Sequence, residues 1–84
     1  MKFIALRVRN ALVMHGYAAD HSEIIETIEG EPFVEKLIAL ERIQSISEQY
    51  VLVTSSHGRQ LYWEYEGDLA MVKARFAAAG LLID

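Results

Sequence analysis

The sequence contains no cysteine, one proline and only five glycines, and each scarcity excludes a class of site. Without cysteine the chain forms neither a disulfide framework nor a zinc–thiolate site, and it has no thiol nucleophile. Because the glycines stand singly, there is neither a glycine-rich phosphate loop nor the Gly-x-Ser-x-Gly turn of many hydrolases. No apolar run approaches the roughly 20 residues that span a membrane as a helix, so we expect no membrane association.

Positive charge is also in short supply. Lysine and arginine total 8 against 12 acidic residues, which gives a formal net charge of −4. Nucleic-acid-binding domains usually carry a basic excess, because neutralising phosphates supplies much of their affinity. The balance therefore argues against nucleic-acid binding, unless the following basic residues converge on one face: Lys2, Arg7, Arg9, Arg42 and Arg59.

The first ten residues, MKFIALRVRN, do not have the pattern of a secretory signal peptide. Arg7 interrupts the apolar stretch before it reaches the roughly 7–15 residues that such a signal needs. We therefore expect a cytoplasmic location, which the lack of cysteine also fits.

Apolar side chains, by contrast, are abundant, since 52% of the 84 residues are hydrophobic. The length predicts a single domain over residues 1–84. A domain of this size buries only about 60–65% of the surface that its unfolded chain exposes. Some apolar side chains should therefore remain at the surface, and we expect a homo-oligomer or a protein partner to cover them.

The first half of the chain gives ambiguous signals for secondary structure. Residues 2–8 alternate weakly and predict a strand, which residues 11–17 could either continue or leave for a helical turn. Residues 20–30 fit a helix or a strand, and their three isoleucines favour the strand. Residues 33–40 also fit either state, and a faint likeness between KFIALRV and KLIALERI favours a strand. The conformation of residues 11–40 thus stays open.

The clearest prediction is a β-hairpin made of residues 50–55 and 59–65. Both segments are rich in β-branched and aromatic side chains, and His57-Gly58 between them would form a two-residue turn. Pairing across such a turn sets Leu52 opposite Trp63.

This pairing divides the hairpin into two faces. One face carries Trp63 together with Tyr50, Leu52, Leu61 and Tyr65, and it is the predicted core face. The other face carries an apolar strip, which we predict to be an exposed interface: Val51, Val53 and Tyr62.

The last element is predicted to be an α-helix. Asp68 is a suitable N-cap residue, and apolar residues then recur at helical spacing at Leu69, Val72, Phe76 and Ala79. Gly80 stands where a left-handed C-cap residue belongs, and Leu81 is placed to fold back on the last turn. The predicted class is α+β: a mainly antiparallel sheet of four to five strands, with the C-terminal helix packed on the Trp63 face.

The stretch from Gly30 to Phe76 has a recognisable order: a Gly-x-x-Phe opening, then LIALERIQSI, then YVLVTSSHGRQLYW, then a helix. It resembles the small FlbD-type flagellar proteins and the strand region of LytTR-type DNA-binding domains. The resemblance covers about half the chain, rests on hydrophobic spacing and one turn glycine, and implies a strand-strand-strand-helix order. It carries over no functional residue, since His57 and Arg59 alone stand where a LytTR-like domain has basic loops.

Few residues suggest catalysis or metal binding. His15, His21 and Asp20 could offer two imidazoles and a carboxylate to a metal ion, but a spacing of six does not put both histidines on one helix face. Glutamate recurs at every third position of residues 23–29, yet nothing indicates the enclosed apolar site that tunes carboxyl groups for acid–base catalysis.

The leading prediction is a small non-catalytic interaction or regulatory accessory protein without a cofactor. It would act through an exposed sheet face, as a homo-oligomer or with a protein partner. The first alternative is a nucleic-acid-binding accessory domain. The second is a small enzyme or metal-dependent protein, which would need His15 and His21 to meet an acid.

Overall fold

The computed structural model describes residues 2–29, 32–55 and 58–83, with the backbone alone for Glu23. The strands are β1 (Phe3–Tyr17), β2 (Glu23–Ile28), β3 (Val34–Ala39), β4 (Ile43–Ile46), β5 (Tyr50–Thr54) and β6 (Gln60–Tyr65). A 3₁₀ turn, Leu40–Arg42, links β3 to β4, and the helix α1 is Leu69–Ala78. The predicted α+β class is confirmed, although the described residues form six strands rather than four to five.

All the strand pairs in the sheet are antiparallel, and β1 is its centre. The order is β2-β1-β6-β5-β4, and β3 pairs with β1 as well. Val8 pairs with both Val34 and Tyr65. It follows that β2 and β3 lie one after the other along one edge of β1, while β6 occupies the opposite edge.

A bulge explains how β1 runs without a break for 15 residues. Arg9 and Ala11 pair with consecutive residues of β6, which leaves Asn10 as an extra residue in the strand. Asn10 has φ +45°, in the left-handed region that asparagine tolerates better than most residues. Because the extra residue shifts the alternation, Val8 and Ala11 are both buried on the same face. Residues 11–17 thus continue the first strand.

The hydrophobic core lies on one face of the curled sheet. Its buried members are Ile4, Leu6, Val8, Ile38, Val51, Val53, Tyr65 and Val72. Helix α1 packs on this face through Val72, which is 1% exposed, with Met71 and Phe76 at the margin. Trp63 packs against the same cluster, so the helix lies on the Trp63 face as predicted. Tyr50 and Leu52, which were predicted for this face, lie on the opposite one.

The ends of α1 confirm the predicted caps. The carboxylate of Asp68 accepts a hydrogen bond from the Met71 backbone N–H at 2.8 Å. At the other end, Gly80 has φ +74°, and the Leu81 N–H donates to the Phe76 carbonyl at 2.9 Å. The Gly80 N–H donates to the Ala77 carbonyl at 3.0 Å, which completes a Schellman motif. The described helix is ten residues long and cannot cross a membrane.

The β5–β6 hairpin is present, but its predicted register is wrong. Val51, not Leu52, pairs with Trp63, and Leu52 pairs with Tyr62. The Ser55 N–H donates to the Arg59 carbonyl, so three residues separate these two, where the prediction placed a two-residue turn. Gly58 has φ +77°, whereas His57 lies outside the described residues.

The register corrects the predicted interface, because a shift of one residue exchanges the faces of a strand. Val51 is 0% exposed and Val53 is 7% exposed, so both belong to the core. Tyr62 lies on the opposite face from them, paired with Leu52. The three residues therefore do not form the exposed strip that the sequence predicts.

Candidate interaction surface

The sheet face that points away from α1 carries a row of apolar side chains across neighbouring strands. Leu52 pairs with Tyr62, and Tyr62 pairs with Leu12 on its other side. One row further along, Met14 pairs with Ile25 of β2. Since Ala11 and Val13 point into the core, Leu12 and Met14 point outward by alternation.

We call this surface the outer patch and define it by Leu12, Met14, Ile25, Tyr50, Leu52 and Tyr62. The rings of Tyr50 and Tyr62 meet edge to face, with centroids 6.3 Å apart and planes at 87°. Ile25 is 49% exposed, and the other five side chains are partly exposed. No other helix or strand in the described part of the chain packs over this face, so the patch is open to solvent.

A polar cluster borders the outer patch beside Tyr50. Arg9 forms an ion pair with Glu64 at 3.2 Å, and the Asn10 side-chain amide donates to the other Glu64 oxygen at 3.1 Å. The Arg9 guanidinium also lies 4.3 Å from the centroid of the Phe33 ring. Glu64 pairs with Tyr50 across the sheet. The carboxylate next to the apolar patch is thus held by a cation and an amide.

Strand β2 adds exposed apolar side chains at the edge of the sheet. Ile24, Ile25 and Ile28 are 45%, 49% and 45% exposed. Ile25 and Ile28 point to opposite faces, because their β1 partners Met14 and Ala11 do so. In the described residues β2 pairs only with β1. An apolar edge strand of this kind is a common site of strand-to-strand association.

The residues predicted as possible metal ligands do not come together. His15 Nε2 lies 2.8 Å from Glu26 Oε1, on the β1–β2 ladder. Asp20 accepts hydrogen bonds from the Ser22 hydroxyl at 2.6 Å and backbone N–H at 3.0 Å, and these bonds lower the pKa of its carboxyl. His21 sits in the same turn with φ +69°. Among the described residues no three histidine, aspartate or glutamate side chains are grouped as a metal site requires.

Three of the basic residues that nucleic-acid binding would need have partners within the chain. Arg7 pairs with Glu66 at 2.9 Å and donates to the Phe33 carbonyl, while Arg9 pairs with Glu64. Arg42, at the end of the 3₁₀ turn before β4, donates to the Thr54 carbonyl at 3.3 Å. Arg7 and Arg9 are thus each paired with a glutamate, and Arg42 is bonded to a backbone carbonyl.

Comparisons with protein-family models, with curated proteins and with solved structures find no match for this chain. The resemblance of residues 30–76 to FlbD-type and LytTR-type proteins therefore stays a prediction from hydrophobic spacing.

Sequence reasoning placed one member of the outer patch, Tyr62, on the outer face and missed the others. Leu12 and Met14 alternate with Ala11 and Val13, which is the signal of a strand with one buried face. That signal was present in residues 11–17, but it identifies an outer face only once the segment is taken as strand. Leu52 was missed because the hairpin register was wrong by one residue.

Proposed function

We propose that this protein is a non-catalytic interaction module that associates with a second copy of itself through the outer patch. The observation that carries the proposal is the continuity of the patch. Its six apolar side chains come from β1, β2, β5 and β6 and lie side by side on the face away from α1. Monomeric soluble proteins rarely leave a continuous apolar surface of several hundred Å² uncovered.

The total surface of the chain supports this proposal. Its accessible area is 5869 Å². Folded monomers of this mass expose about 5,050 Å² by the usual scaling with molecular weight. The excess of about 800 Å² matches the area that each partner buries in an interface of standard size.

The elongated shape of the chain also supports self-association. The radius of gyration is 13.7 Å, against about 11.8 Å for a compact domain of this length. The longest axis measures 44 Å, compared with 29 and 23 Å for the others. Association through a broad sheet face would bury part of the excess surface that this elongation creates.

The electrostatics of the outer patch permit two copies to approach each other. In a symmetric dimer each residue near the axis meets its own copy, so an unpaired charge would be repelled. Glu64, at the border of the patch, is already neutralised by Arg9 and hydrogen-bonded to Asn10. The face therefore presents apolar groups with a compensated ion pair at their border, which corresponds to the apolar core and polar rim of a typical interface.

Light scattering after size exclusion, over a range of protein concentrations, tests the proposal. We expect a mass of about 19 kDa, twice the chain mass of 9.5 kDa. Leu52→Lys should give the monomer mass, because association would bury an unpaired ammonium among apolar side chains, and Tyr62→Lys should do the same. Ala74→Lys, at an exposed position of α1, is the matched control and should leave the mass at 19 kDa.

Circular dichroism of each variant shows that the fold is retained, since a lysine at position 52 can extend its ammonium into water. A wild-type protein that stays at 9.5 kDa at high concentration would overturn the proposal. So would a folded Leu52→Lys variant that keeps the mass of the dimer.

A further inference from the structure

A groove on the other side of the molecule has a chemistry unlike that of the outer patch. It runs between β3 and the β5–β6 hairpin and has a volume of about 340 Å³. Its apolar walls are formed by Phe3, Leu37, Ile38, Val53, Leu61 and Trp63. This volume lies at the lower end of the range of roughly 300–1,000 Å³ that is usual for small-molecule sites.

Two cations face this apolar space. The Lys36 Nζ lies 5.0 Å from the centroid of the Trp63 ring, at a distance typical of a cation–π contact. Arg42 also lines the groove, and one of its terminal nitrogens donates to the Thr54 carbonyl at 3.3 Å. The other donors of its guanidinium are suited to a carboxylate, which the planar fork can bind at two points.

The groove is lined by positive charge, whereas the chain as a whole is negatively charged. The protein carries a formal charge of −4, with 12 acidic residues. None of the described residues that line the groove is acidic, whereas Lys36 and Arg42 both line it. An apolar groove with two cations in its lining is complementary to a ligand that has an anionic group at one end of an apolar body.

We propose that this groove binds a small amphipathic carboxylate with a short aliphatic or aromatic body. The body lies along Trp63, Leu61 and Val53, and the carboxylate meets Lys36 and Arg42. The Trp63 contact already holds the Lys36 ammonium at the groove, which reduces the ordering that binding requires. Nucleotides fit less well, since the walls offer mostly apolar side chains to a polar base and ribose.

Intrinsic fluorescence tests this proposal directly, because Trp63 is the one tryptophan of the chain and lines the groove. Octanoate, kept below its micellar concentration, should change the emission of Trp63 in a saturable manner. Octanol has the same body without the charge and should bind at least about tenfold more weakly, given the usual strength of hydrogen bonds to charged groups. Amide chemical shifts in NMR spectra should move in β3, β5 and β6.

Two variants separate charge from shape. Lys36→Met keeps an unbranched side chain beside Trp63 and removes the ammonium, and Arg42→Gln removes the guanidinium. Each should weaken octanoate binding by about tenfold and leave octanol binding nearly unchanged. Lys73→Met, which removes a lysine from α1 outside the groove, is the matched control and should bind octanoate like the wild type.

Equal affinity for octanoate and octanol would overturn the proposal, and so would Lys36→Met and Arg42→Gln variants that bind octanoate normally. Tighter binding of a capped tetrapeptide of alternating aspartate and leucine would assign the groove to acidic peptides instead. The Leu52→Lys variant should still bind octanoate, because Leu52 does not line the groove. Ligand binding and self-association can thus fail independently.

Discussion

Threonine substitutions at two adjacent residues of β5 test the register of the hairpin. Val51 is 0% exposed and lies in the core, whereas Leu52 is partly exposed on the opposite face. Val51→Thr keeps the shape of the side chain but places a hydroxyl among apolar groups, at a cost of about 1–3 kcal/mol. Leu52→Thr introduces a β-branched residue, which suits a strand, and lets its hydroxyl reach water, so we expect a cost of about 1 kcal/mol or less.

Thermal unfolding by circular dichroism resolves the two costs. For 84 residues the entropy of unfolding is about 0.18 kcal/mol per kelvin, so the Val51→Thr loss of about 1–3 kcal/mol lowers Tm by about 6–17 °C. Leu52→Thr should lower it by about 6 °C or less. Both variants are compared with the wild type at a concentration low enough to keep all three monomeric. A larger loss for Leu52→Thr than for Val51→Thr would show that Leu52 points into the core and would refute the register.

Three further predictions concern the helix and a buried tyrosine. Asp68→Ala should lower the free energy of unfolding by about 1 kcal/mol, measured in urea, because the Met71 N–H loses its N-cap acceptor. Gly80→Ala should cost about 1–2 kcal/mol in the same assay, since φ is +74° there while no neighbouring atom lies close enough to clash. Burial, with smaller contributions from Glu48 and Asp68, raises the pKa of Tyr65, whose hydroxyl donates to the Ser47 carbonyl. The folded protein thus holds this proton more tightly than the unfolded chain does, so the stability it contributes is fully present below about pH 10 and is lost as pH rises through the folded pKa. An ultraviolet titration should show a late phase that Tyr65→Phe removes, and a titration without that phase would contradict the raised pKa of Tyr65.

Local signals were enough to predict α1. Asp68, the apolar spacing of the helix and Gly80 all act within one or two turns, so neighbouring residues decide the outcome. The position of the β5–β6 hairpin was also predicted correctly, because its strands are rich in β-branched and aromatic residues.

The register and the long first strand depend on contacts that the sequence shows less directly. A loop of three residues instead of two moves Val51 from the outer face to the core, and the predicted interface moved with it. In β1, the extra residue Asn10 interrupts strict alternation. The whole strand exists because β2, β3 and β6 all pair with it, and two of these partners are far away in sequence. The β-propensity of the residues in β1 does not show which distant strands will pair with it.

The pairing of β1 with three other strands affects the order in which the chain folds. The β1–β2 and β5–β6 hairpins are local and can form early, but β1 meets β6 only across more than half the chain. Until Tyr65 has been synthesised, the β6 side of Val8 and Ala11 has no strand to pair with. The apolar side chains of β1 also lack the core residues that β6 contributes. A nascent chain that stops before β6 therefore exposes an unpaired, aggregation-prone strand edge. We expect the domain to fold in a single cooperative step, completed when its sixth strand joins its first.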